Sequence, residues 1–117
     1  MKNKLILSIV LTTSLSIFGY SQNQLELNEA AYKKYQNADK ELNTVYKQLL
    51  SKTDKTDRNL LIAAEKDWIK YRDSHCKFEE KIYDGGSIQP LIYNECLTAI
   101  TQQRISIIKQ SIKDRSN

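Results

Sequence analysis

At 117 residues, with 18 Lys and Arg, 14 Asp and Glu, 40% hydrophobic residues, one Pro and three Gly, the chain has room for one domain and not two. So few turn-forming residues exclude a sandwich or barrel of many short strands, and the plentiful aliphatic and aromatic residues exclude disorder. One His and two Cys exclude a zinc ribbon, a finger or any Cys/His-rich metal cage.

The chain opens on a basic stretch, Met1-Lys2-Asn3-Lys4, and then carries no charge from Leu5 to Ser21. Gly19 and Ser21 supply small residues at the −3 and −1 positions of a cleavage site. This is the pattern of a secretory signal peptide over residues 1–21, leaving 22–117 as the domain. The apolar run is short for the ~20 residues of a spanning helix, so no membrane span is expected after cleavage. No Cys lies near the cleavage point to take a lipid. Lys2 and Lys4 leave with the leader, so 16 of the 18 basic side chains remain against 14 acidic ones, a net of +2. No basic stripe with interleaved aromatics suggests nucleic acid. The expected location is exported, either periplasmic or extracellular, where two cysteines in a small domain read as one disulfide, Cys76–Cys96.

The first predicted helix carries Ala31, Tyr35, Ala38, Leu42, Val45 and Leu49 at spacings of 4, 3, 4, 3 and 4, one face of an α-helix. Asn23 or Asn28 is the expected N-cap, and the helix ends near Ser51. Residues 51–57 contain no apolar side chain and form a loop, with Thr56 or Asp57 as the next cap. The second helix carries Leu61, Ala64, Trp68, Tyr71, His75, Phe78 and Ile82 as its apolar stripe and runs to about Tyr83. Asp84-Gly85-Gly86-Ser87 breaks it: Gly85 or Gly86 takes the left-handed conformation that closes a helix, and Ser87 caps the third. Pro90 falls in the first turn of that helix, where its missing N–H costs nothing. Leu91, Tyr93, Leu97, Ile100, Arg104, Ile107 or Ile108, and Ile112 follow.

The second and third helices form an antiparallel hairpin about the glycines. Cys76 and Cys96 lie at similar distances from that turn, at matching heights on facing helices. With them as register, positions summing to about 172 face each other, which sets Arg104 level with Trp68. The Arg104 stem packs on the indole, with its guanidinium over the ring or reaching Glu65. Trp68, Tyr71, Arg72, Asp73 and Arg104 are read as a structural core cluster. His75 beside Cys76 makes no catalytic dyad, because a disulfide sulfur is no nucleophile. One His with scattered carboxylates has no metal-ligand spacing, and Glu79 with Glu80, or Asp54 with Asp57, could at most hold Ca²⁺ weakly. No catalytic residue, metal or cofactor is expected.

The stretch Ala38-Asp39-Lys40-Glu41-Leu42-Asn43-Thr44-Val45-Tyr46 is similar to the pattern A-D-x-E-L-N-x-x-Y of one family. Trp68-Ile69-Lys70-Tyr71-Arg72-Asp73-Ser74-His75-Cys76-Lys77-Phe78-Glu79 is similar to its central motif, W-x-x-[YF]-R-D-x-x-C-x-[FY]-E. Gly85-Gly86-Ser87, Cys96-Leu97-Thr98 and Thr101-Gln102-Gln103-Arg104 complete the likeness. On these residues the chain resembles the lysozyme-inhibitor LprI N-terminal domain family, small exported helical domains of bacteria, over roughly residues 25 to 110. It departs in having Ala30 where many relatives carry another Cys, and in lacking a lipoprotein's lipid-bearing Cys. The resemblance implies a non-enzymatic binder with a protein partner, lysozyme being the one the family name points to. The alternative is a structural or interaction module of the cell envelope. The candidate partner-binding residues are those of the hairpin tip: Tyr83, Asp84, Gly85, Gly86, Ser87 and Ile88. The fold expected is all-α, a three-helix bundle built on a long antiparallel hairpin with one inter-helix disulfide.

Overall fold

A computed structural model describes residues 2–116, with side chains described from Asn23 to Ser116. The expected leader, residues 1–21, lies outside the residues whose side chains are described. Three α-helices make the fold: α1 (Lys2–Ser51), α2 (Lys55–Glu80) and α3 (Gln89–Asp114), with a single 3₁₀ turn, Lys81–Tyr83, extending α2. No strand occurs among the described residues. The all-α bundle and the inter-helix disulfide are as the sequence predicts.

The apolar face of α1 is the expected one. Ala31, Ala38, Leu42, Val45 and Leu49 are all buried. They pack on α3, which contributes Asn94, Leu97, Thr98, Ile100, Thr101, Ile105 and Ile108. The small side chains Ala31, Ala38, Thr98 and Thr101 allow the two helices to approach closely. α1 and α3 run parallel: Asn28 donates to the Ser87 carbonyl at 3.0 Å near one end, and Lys109 bonds Glu41 at 2.9 Å toward the other. α2 runs antiparallel to both. The first helix is therefore a principal wall of the core, not an addition to the α2–α3 hairpin.

The helix ends differ in detail from the sequence reading. Neither Asn23 nor Asn28 starts α1, which is continuous through both. Asn28 instead accepts from Gln24 at 2.9 Å and donates to Ser87. The cap of α2 is Asp54, whose carboxylate accepts from the Asp57 N–H at 2.8 Å, in place of Thr56 or Asp57. Starting two residues earlier shortens the α1–α2 connection to Lys52-Thr53-Asp54.

The core divides into two clusters. Leu42, Val45, Leu49, Ile105 and Ile108 form the one toward the α1–α2 loop. Cys76, Leu97 and Ile100 form the one toward the hairpin turn. Trp68 packs against both and joins them. The Cys76–Cys96 disulfide closes the second cluster with a Cα–Cα separation of 5.6 Å.

Candidate partner-binding surface

The tip of the α2–α3 hairpin is exposed from Lys81 to Ser87 and is nevertheless held in one shape. The 3₁₀ turn closes through the Asp84 N–H donating to the Lys81 carbonyl, 3.1 Å, and the Gly86 N–H donating to that of Tyr83, 2.9 Å. Gly85 alone takes positive φ, +77°, the conformation the glycine pair was expected to supply. Its N–H donates to the Gln89 side chain at 3.2 Å. A Cβ on Gly86 would meet the Tyr83 carbonyl oxygen at 3.1 Å, so the second glycine serves close packing of the turn. Ser87 does not cap α3. Ile88 occupies the N-cap with no side-chain bond, and the Ser87 carbonyl is tied to Asn28 of α1.

Asp84 bonds Lys81 at 2.6 Å across the turn. That hydrogen bond first, and the Lys81 charge second, hold the Asp84 carboxyl below its ordinary range; the same contact raises Lys81. The carboxylate is thus ionised and fixed in position at the tip. Tyr83 stands beside it, 37% exposed.

Folding gathers acidic residues at this end. Glu79, Glu80, Asp84 and Glu95 flank the turn with only Lys81 among them, and the Asn28–Ser87 bond brings in Glu26 and Glu29 of α1. Over the stretches these carboxylates span, residues 26–34 and 77–95, the six of them stand with four lysines, Lys33, Lys34, Lys77 and Lys81, so this end is acidic by two charges. The opposite end, residues 47–58 and 109–116, carries seven Lys and Arg against three Asp. A chain whose expected net charge is small is therefore polarised along its length.

The cluster around Trp68 lies between the two core clusters, away from the tip. Arg104 does both things its register allows: it sends Nε and Nη2 to the same Glu65 oxygen at 2.9 and 2.7 Å, with its guanidinium 5.8 Å from the indole centroid. Arg72 lies on the indole as well, 5.1 Å from the centroid, and 5.5 Å from that of Tyr35. It donates to Asp73 at 2.9 Å and reaches Asp39 of α1 at 3.5 Å. Trp68, Arg72, Asp73 and Arg104 are brought together as expected. Tyr71 is not: it is 58% exposed and lies outside the core.

That displacement belongs to the later part of the α2 stripe, since Leu61 and Trp68 do pack on the core as expected. The face expected inside included Tyr71, His75, Phe78 and Ile82, yet Phe78 is 72% and Ile82 79% exposed, while Glu65, Arg72 and Cys76 are buried. The disulfide explains it. Cys76 must face α3, and on an α-helix Phe78 then points about 200° and Tyr71 about 140° away from it. The cysteine was the available signal, and it outweighs a period drawn from hydrophobicity alone. Buried Glu65 and Arg72 escaped that period because charged residues go inside only when paired: Glu65 pairs with Arg104 of α3, and Arg72, besides its neighbour Asp73, reaches Asp39 of α1.

In comparison with known proteins, the family described as Lysozyme inhibitor LprI matches residues 19–107 of the chain. An uncharacterized protein of Rhizobium meliloti (strain 1021) is 30% identical to it over 108 residues, covering 81% of this chain and 78% of that one. The crystal structure of a DUF1311 family protein from Pseudomonas putida KT2440 superposes with a TM-score of 0.69 at 22% identity, covering 74% of this chain and 91% of that chain, a likeness of fold.

Proposed function

From the premise that the chain belongs to the lysozyme inhibitor LprI family, we propose that it is an exported, non-enzymatic binding protein that engages a lysozyme through the acidic hairpin tip. The observation that carries this reading is the net acidic end, six carboxylates to four lysines, around a hydrogen-bonded, narrow turn. Long-range attraction to a basic protein cannot come from a chain of net positive charge, so it has to come from a local acidic surface. The tip meets that need. It is also narrow enough to enter a long cleft that a flat helix face could not fill. Tyr83 supplies an aromatic anchor, and Asp84 a carboxylate pre-ordered by Lys81. No helix among the described residues is long and apolar enough to cross a membrane.

The test is a cell-wall lysis assay with the Tyr83→Ala, Asp84→Lys double variant. Both side chains are outside the core, so helicity and melting should hardly change. Inhibition by the unsubstituted protein should be lost in the variant. Full inhibition by the variant, or none by the unsubstituted protein at micromolar concentration, would remove the tip from this role.

A further inference from the structure

One exposed flank of α2 is a ridge of apolar side chains running most of the helix length, whose first members, Leu60 and Ala64, also line a groove with Leu49, Ser111 and Arg115. Its centre is Tyr71, stacked on His75 with ring centroids 5.6 Å apart, and His75 lies 6.4 Å from the Phe78 ring. Leu60 is 67% exposed toward one end and Ile82 79% toward the other. Such a ridge on an otherwise charged small domain marks a contact surface.

The ridge is complementary to itself when reversed. With a two-fold axis through Tyr71, positions summing to 142 face one another at equal heights. Ala64 then meets Phe78 of the second copy, a small side chain opposite a large one. Asp67 meets His75, a carboxylate opposite an imidazole. Leu60 meets Ile82, and Tyr71 meets Tyr71. Reversal also sets the acidic end of each chain beside the basic end of the other, six carboxylates and four Lys beside seven Lys and Arg and three Asp. A parallel pairing would instead set acid on acid. The four large apolar side chains offer roughly 500 Å² per copy, about 1,000 Å² for the pair, which is the low end of specific interfaces.

We propose that two copies of this protein associate antiparallel along this exposed flank of α2, with the two-fold axis at Tyr71, as a weak, salt-sensitive dimer. The ridge ends at Ile82, beside the hairpin tip, and the pairing draws on the same acidic end, but it does not depend on the inhibitory reading.

Sedimentation equilibrium of the full chain should give a monomer–dimer equilibrium in the micromolar range that weakens as salt is raised. Phe78→Glu should be monomeric with unchanged helicity, since Phe78 is outside the core. Asp67→His should weaken the dimer and the exchange pair Asp67→His, His75→Asp should restore it. Under mild oxidation Tyr71→Cys should cross-link to itself, whereas Leu60→Cys should not, because its two copies would stand about 33 Å apart at 1.5 Å per residue. A protein monomeric at every concentration overturns the proposal. So does a dimer untouched by Phe78→Glu, or Leu60→Cys cross-linking as readily as Tyr71→Cys. A Phe78→Glu variant that loses lysozyme binding, with the unsubstituted protein monomeric, would assign the ridge to a different partner and equally overturn it.

Discussion

Trp68 lies against two guanidiniums, Arg72 and Arg104, and each guanidinium has its own carboxylate, Asp73 and Glu65. The arrangement lets cations sit against an aromatic ring away from water without an uncompensated charge. The Arg104 and Glu65 side chains are 14% and 9% exposed, so neither ion is well solvated. Removing one partner strands the other. Arg104→Leu should therefore cost about 3 kcal/mol in urea unfolding. Glu65→Leu together with Arg104→Leu should recover most of that loss, because two apolar side chains at this site bury no charge. Simple additivity of the two single losses would show that the pair is not coupled.

Among the elements, α3 is central: it packs against α1 on one side and α2 on the other, and carries more buried residues than α2. The α2–α3 contact relies on few large apolar side chains, since α2 buries Glu65, Arg72 and Cys76. The disulfide is accordingly a main fastening of α2. It spans a sequence separation of 20, and losing such a closed loop costs about 2–4 kcal/mol. The purified protein should show no thiol reactive to a colorimetric reagent until reduced. The Cys76→Ser, Cys96→Ser variant should lose stability by that amount, chiefly through detachment of α2. Native-state hydrogen exchange should then show α2 amides opening before those of α1 and α3. Uniform loss of protection across all three helices would contradict this order.

At the scale of the molecule, three tyrosines make stability depend on alkaline pH. Burial raises Tyr35, Tyr46 and Tyr93 above the ordinary value of 10.0, as the first cause in each case. Glu65 adds to the rise at Tyr46, and Asp73 and Glu80 add to it at Tyr93. The folded protein holds these phenols neutral while the unfolded chain ionises them from about pH 10. Their contribution is complete below that pH and is lost as pH climbs through the folded values. The melting midpoint should thus be level from neutral pH to about pH 9 and fall above about pH 10. Tyr35→Phe with Tyr93→Phe should flatten the fall. An unchanged slope in that variant would place the alkaline sensitivity elsewhere.

The α1 face from Ala31 to Leu49, the Gly85 turn, the cysteine pair and the Trp68–Arg104 register are all legible in the sequence. Each rests on local chemistry: helical period, positive φ, the pairing of two cysteines in a domain expected to be exported, and the fixed rise per residue. The outward turn of the later α2 stripe is not legible from period alone. Tyr71 and Phe78 match an apolar stripe as well as Glu65 and Arg72 fail to, and only partners on α1 and α3 make the charged face the inner one. Nor does the linear order of charges disclose the acidic tip. Glu26 and Glu29 stand more than fifty positions from Asp84 and join it because α1 and α3 run parallel, joined by the Asn28–Ser87 bond. Properties carried by one helix at a time are written in residue spacing. Which face turns inward, and which charges share an end, depends on contacts between helices, and tertiary packing decides those.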